Sequence, residues 1–187
     1  MMKKILNPFD YLPLRQAICW GIAALILISV FCWQVGLRLS SLTQINYGGG
    51  ALWRATAQQV VAWLLFSVVL YVVALLFSRS KVRFWDVAAY NLFARIPFHL
   101  SLLLFAIPMV RSIMGLLTDG SIATAMQYAS ALTLFGLVSL LFVVWYFFWS
   151  YKAFAVATNL KNGRGVALFI VAYIISYVAS PFLLTLI

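Results

Sequence analysis

Four side chains along one short stretch carry most of the polar chemistry this chain could offer: Asp86, Asn91, Arg95 and His99. His99 is the only histidine. It stands one helical turn after Arg95 and two residues after Pro97. A lone histidine within apolar sequence could relay a proton or bind a ligand. Its plainer role is a side chain at the membrane boundary bonded to water or a backbone carbonyl. Asn91 and Arg95, spaced i and i+4, share one helical face. Asp86 could pair with Arg83, one turn earlier, or with a base such as Lys152 or Lys161. Nine residues separate Asp86 from Arg95, which puts them on different faces. A polar cluster of all four therefore needs a bend near Asn91 or a bridging residue. The other outcome is a surface carboxylate worth about 0–1 kcal/mol beside snorkelling bases.

Other chemistry finds little material. Glutamate is absent, the acids are Asp10, Asp86 and Asp119, and neither HExxH nor GxSxG occurs. No catalytic constellation, metal site or cofactor is implied, and the expectation is a protein that is not an enzyme. Cys19 and Cys32 fall in one apolar run, about 20 Å apart if helical, and suit packing. Gly48-Gly49-Gly50 lacks the Lys-Ser/Thr of a phosphate loop and reads as a flexible loop.

The elements that must hold these groups follow from composition. Of 187 residues, 66% are hydrophobic and 9% charged, against about 25% charged in soluble domains. The bilayer is the solvent that accepts such a chain. Five apolar segments emerge: Gln16–Val35, Val60–Phe77, Ile96–Ile113, Ala129–Trp149 and Val166–Ile187. Each has the length of a membrane-crossing helix, and none alternates as barrel strands do. The fold class is all-α: a polytopic bundle of five spans, forming a single integral membrane domain over 1–187. Met1-Met2-Lys3-Lys4 opens like a signal peptide, but no small-x-small site follows the first run, which reads as a retained anchor. Phe9 and Tyr11 are expected as interfacial anchors. Trp145, Phe147, Phe148, Trp149 and Tyr151 make an aromatic belt at the end of the fourth span.

The third span carries two prolines. Pro97 suits a first helical turn, whereas Pro108 should kink or break the helix. Before it, Val82–Ala94 has helical spacing with Phe84, Trp85, Ala88 and Leu92 on one stripe, which predicts a short interfacial helix.

Net charge is +10. The bases are dispersed among short loops, which argues against nucleic acid and for anionic lipid. With the N-terminus in the cytoplasm, that side holds Lys3, Lys4, Arg15, Arg79, Lys81, Arg83, Arg95, Lys152, Lys161 and Arg164; the far side holds Arg38, Arg54 and Arg111. This bias fixes the expected orientation, with the C-terminus on the periplasmic or outer side.

Four pieces of the chain resemble the bacterial branch of the Yip (Ypt/Rab-interacting protein) membrane family. They are Ile5-Leu6-Asn7-Pro8-Phe9; Ala62-Trp63-Leu64 through Leu70-Tyr71-Val72; Phe84–Asn91 followed by Ala94-Arg95-Ile96-Pro97; and Tyr151–Lys161. The resemblance implies five spans with a cytoplasmic N-terminus, and a bacterial inner membrane as the location. Eukaryotic members act in vesicle trafficking and membrane shaping and interact with Rab GTPases. The function expected here is a non-enzymatic scaffold that organises the bilayer. Its partners would be anionic lipids at the cytoplasmic face and a membrane protein or a second copy. The alternative is a small-solute or ion transporter or channel, which would line its path with intramembrane polar residues.

Overall fold

The computed structural model describes residues 7–118 and 120–187; Lys3, Lys4, Asp119 and the opening of the chain lie outside it. Eight helices and one two-stranded hairpin make up these residues, besides short 3₁₀ turns. In chain order they are α1 (Leu14–Val35), β1 (Leu37–Leu39), β2 (Ile45–Tyr47), α2 (Leu52–Phe77), α3 (Phe84–Ala94), α4 (Ile96–Leu103), α5 (Pro108–Thr118), α6 (Ile122–Met126), α7 (Ala129–Thr158) and α8 (Gly163–Leu184). Five helical stretches are long and apolar enough to cross a membrane: α1, α2, α7, α8 and the run Phe84–Ala106 that joins α3 and α4. The all-α, five-span architecture expected from composition is therefore present.

Local chemistry sets the ends. Gly36 closes α1 at φ 77, and its N–H reaches the carbonyls of Cys32 and Trp33; a left-handed residue there is the usual way to satisfy last-turn carbonyls. Asn159, at φ 59, ends α7 in the same conformation. Asn162 caps α8, its side chain accepting from the Gly165 N–H at 3.0 Å. Pro97 occupies the first turn of α4, as its missing N–H allows. Pro108 opens α5 after a break at extended Ile107, as expected of a proline within an apolar run.

Phe84–Ala106 is the central helix. It is 67% buried across its apolar window, against 33% or less for the other four, and has the lowest mean hydropathy, 1.3. Its first half packs on α1, α2 and α7, its second half on α1 and α7. This corrects the expected interfacial helix. Val82–Ala94 does not lie flat before the third span; α3 forms the span's first half, with Val87, Ala88, Ala89, Asn91, Leu92 and Ala94 buried. The alanines permit the close approach. Gly21 of α1 lies so near Leu92 that a Cβ there would stand 2.7 Å from its Cγ. The short amphipathic helix comes after the span instead: α5 buries Ile113 and exposes Arg111 and Ser112.

Other boundaries shift for related reasons. Helix α2 begins at Leu52 rather than Val60, because Gln58 and Gln59, which look like loop residues, are buried in it. Helix α7 runs on to Thr158, so the aromatic belt falls inside the helix and Trp149 is packed. Phe9 is not an interfacial anchor; it is 2% exposed and meets Tyr90, Phe93 and Trp149 edge-on at 5.7–6.0 Å. Tyr11 is exposed.

The hairpin is the one β-sheet among the described residues. Residues 37–39 pair antiparallel with 45–47, Arg38 opposite Asn46. Its tip, Ser40–Gln44, turns into the bundle, where Leu42 is fully buried in the cluster containing Phe66, Leu70 and Phe169. Non-helical backbone at this depth must find partners inside the protein. Leu42 N–H donates to Ser180 Oγ at 3.1 Å, Ser41 Oγ lies 2.7 Å from Ser180 Oγ, and Thr43 Oγ1 lies 2.9 Å from Tyr173 Oη. Gln58 Oε1 accepts from Leu39 N–H at 3.2 Å.

Candidate functional site

Arg95 occupies the joint between α3 and α4, midway along the central helix, and is 1% exposed. The chain passes through it without losing helical register, since His99 N–H still bonds the Arg95 carbonyl at 2.9 Å. Asn91, Arg95 and His99 therefore stack on one face, all buried. Asn91 Nδ2 donates to Ser67 Oγ at 2.8 Å, and the Ser67 hydroxyl in turn donates to the Trp63 carbonyl. That chain ties α3 to α2.

Arg95 is held differently. Its Nη2 donates to the Leu42 carbonyl at 3.3 Å, and its guanidinium carbon lies 5.5 Å from the centre of the Phe98 ring. The hairpin tip thus covers the cation with a carbonyl dipole, and the ring offers its π face. Nε and Nη1 are buried without a hydrogen-bond partner among the described residues. The same holds for both ring nitrogens of His99, while the Tyr146 hydroxyl lies beside Ser150. Tyr146 stands beside Phe98, ring centres 5.8 Å apart, and Tyr146 and Tyr173 both lie within reach of the Arg95 charge. A buried guanidinium with vacant donors is costly in a low-dielectric interior. The arrangement supplies donors and positive charge to whatever anionic oxygen reaches it.

Asp86 is not part of this group. It lies half-buried in the first turn of α3, next to Tyr90, and no hydrogen bond or ion pair joins it to Asn91, Arg95 or His99 among the described residues. The structure thus brings together three of the four residues singled out from sequence. It also removes Arg95 from the loop bases with which it was counted. Sequence reasoning missed Tyr146, which stands between Trp145 and Phe147 of the aromatic belt without having been singled out. It also missed the tip Ser40–Gln44, whose partners on α8 lie 130 or more residues away.

Several cavities open among the described residues. One of about 180 Å³ opens between α1 and α4, walled by Ala24, Leu27, Ile28, Ile96, Leu100 and Leu103, with His99 in its lining. At the hairpin end, a cavity of about 510 Å³ is lined by Arg38, Ser40, Gln44, Asn46, Tyr47 and Gln58, among others. Burial holds the Tyr47 phenol above its ordinary value there, while the Arg111 charge pulls the other way. At the opposite end, Arg79, Arg164, Ser78, Ser80 and Asn162 line a third, of about 370 Å³. Among the described residues no three of His, Cys, Asp or Glu gather as metal ligands. No family model matches the chain, and no curated protein or solved structure matches it either.

Proposed function

We propose that the chain is a non-enzymatic integral membrane scaffold that organises lipid and membrane partners around a fixed bundle, as the resemblance to the Yip family implies. The observation that carries this is the outer half of α7. From Ala129 to Trp145 no residue is buried, and Leu134, Leu137, Leu140, Leu141 and Val144 are all more than half exposed. Seventeen residues of membrane-length helix stand largely clear of the bundle, free to meet a partner helix, a second copy or lipid. Many of the buried hydroxyls bond a backbone carbonyl of their own helix, which favours a rigid frame. The proposed setting is a bacterial inner membrane. The N-terminus and the basic loops around Arg79, Lys81, Arg83, Lys161 and Arg164 face the cytoplasm and its anionic lipids.

Transport is the second reading, and the buried Arg95 beneath a non-helical hairpin tip favours it, since transporters place such features at their binding sites. Purified protein in liposomes separates the two. The scaffold should leave halide and proton gradients intact, and Leu141→Cys copies in a Cys19→Ser background should cross-link within the membrane while Leu76→Cys copies do not. Gradient collapse in proportion to protein, with no cross-link, would replace the scaffold by a transporter.

A further inference from the structure

We infer that the central helix holds a binding site for a single-chain anionic amphiphile, a fatty acid whose carboxylate meets His99 and Arg95 and whose tail lies in the cavity between α1 and α4. Two independent observations converge on it. The first is the set of vacant donors. Arg95 Nε and Nη1, and the two ring nitrogens of His99, of which a neutral imidazole offers one as a donor, are buried and unpartnered among the described residues, and no carboxylate of the described chain pairs with the guanidinium. A planar cation with donors to spare matches a carboxylate. Leu42 O, a neutral acceptor, occupies one Nη2 donor and cannot neutralise the charge.

The second is the shape and lining of the cavity. His99 is its one polar wall. The others are aliphatic, and Leu27, Leu100 and Leu103 are exposed on the outer surface of the bundle, so the cavity opens toward the lipid. At about 180 Å³ it takes only part of an acyl chain, and the rest continues into the bilayer from which the ligand comes. Arg95 sits one helical turn behind His99 on the same face. Arg95 is outside the cavity's lining, so an acid entering tail-outward meets the imidazole at the wall, and the guanidinium one turn behind answers its charge. A small free anion would satisfy the donors but leave the apolar cavity unexplained. A neutral lipid tail would fill the cavity but leave the charge unanswered.

Radiolabelled oleate, binding to the purified full chain in nanodiscs, tests this. Wild-type protein should bind about one oleate saturably. Methyl oleate, which keeps the tail and loses the charge, and acetate, which keeps the charge and loses the tail, should each compete at least tenfold more weakly. Ala24→Trp fills the cavity without touching Arg95 and should abolish oleate binding in protein that remains monodisperse. Arg95→Gln should do the same if it folds. Equal competition by methyl oleate overturns the carboxylate, equal competition by acetate or chloride overturns the amphiphile, and wild-type oleate binding by Ala24→Trp overturns the cavity. None of these results bears on the cross-linking or gradient tests of the scaffold.

Discussion

The central helix and the outer half of α7 are built on opposite plans. Across its apolar window α7 has mean hydropathy 2.2 and is 6% buried; Phe84–Ala106 has mean hydropathy 1.3 and is 67% buried. In water the more apolar helix would be the inner one. In a bilayer lipid covers apolar side chains as well as protein does, so burial is left to small, polar and shape-specific residues. Alanines, Asn91, Arg95, His99 and Ser101 mark the inward side of the central helix, and leucines mark the exposed side of α7.

The sharpest way to break that contrast is to remove bulk from each region. Phe98 is 1% exposed and supports both the Arg95 guanidinium and the Tyr146 ring. Phe98→Ala should cost about 3–5 kcal/mol, the transfer term plus an unfilled cavity. Leu141 is 71% exposed, and Leu141→Ala should stay within about 0.5 kcal/mol. Reversible unfolding in mixed detergent micelles reads both. Equal losses would mean that α7 is packed along its whole length.

A single added methyl makes a finer comparison, because its sign should reverse. At Gly21 a Cβ would meet Leu92 Cγ at 2.7 Å, and Leu92 is fully buried with nowhere to move. Overpacking of this kind costs about 1–3 kcal/mol, against a helix-propensity gain of about 1 kcal/mol. At Gly136 nothing lies within 4 Å, so only the gain remains. Gly21→Ala should lower the unfolding midpoint and Gly136→Ala should raise it. Stabilisation at both sites would show that α1 and α3 are not in close contact.

The same contrast explains what could be read from the sequence. Spans of continuous Leu, Val, Phe and Ala announce themselves, as do the helix start at Pro97 and the break at Pro108. The residues misassigned are those whose polarity is answered far away. Gln58 looked like loop until Leu39 N–H supplied its partner. The stripe in Val82–Ala94 suggested an interface because Asp86 and Tyr90 flank it, yet its alanines are what let α1 approach. Asn91, Arg95 and His99 were legible as a set from their four-residue spacing alone. The hairpin tip above them was not, because no local pattern reports that Leu42 and Ser180 meet across 138 residues.

The smallest expected effect falls on Asp86, and it decides where the polar interior ends. Were Asp86 joined to Arg95, removing it would strand a buried cation and cost about 3–5 kcal/mol. The structure places it instead at the start of α3, half-buried, a position where a carboxylate contributes through the N-terminal end of the helix dipole. Such a contribution is about 0.3–1 kcal/mol. Asp86→Ala should therefore lose no more than about 1 kcal/mol, and high salt should shrink the loss further because a partly exposed charge is screened. Combined with Arg95→Gln, the two changes should add within about 0.5 kcal/mol, as they do for residues that share no partner. A coupling well above that, or an Asp86→Ala loss that salt leaves untouched, would extend the buried network to the end of α3. Arg95 would then have the carboxylate partner that the vacant donors lack, and the case for a ligand there would fall with it.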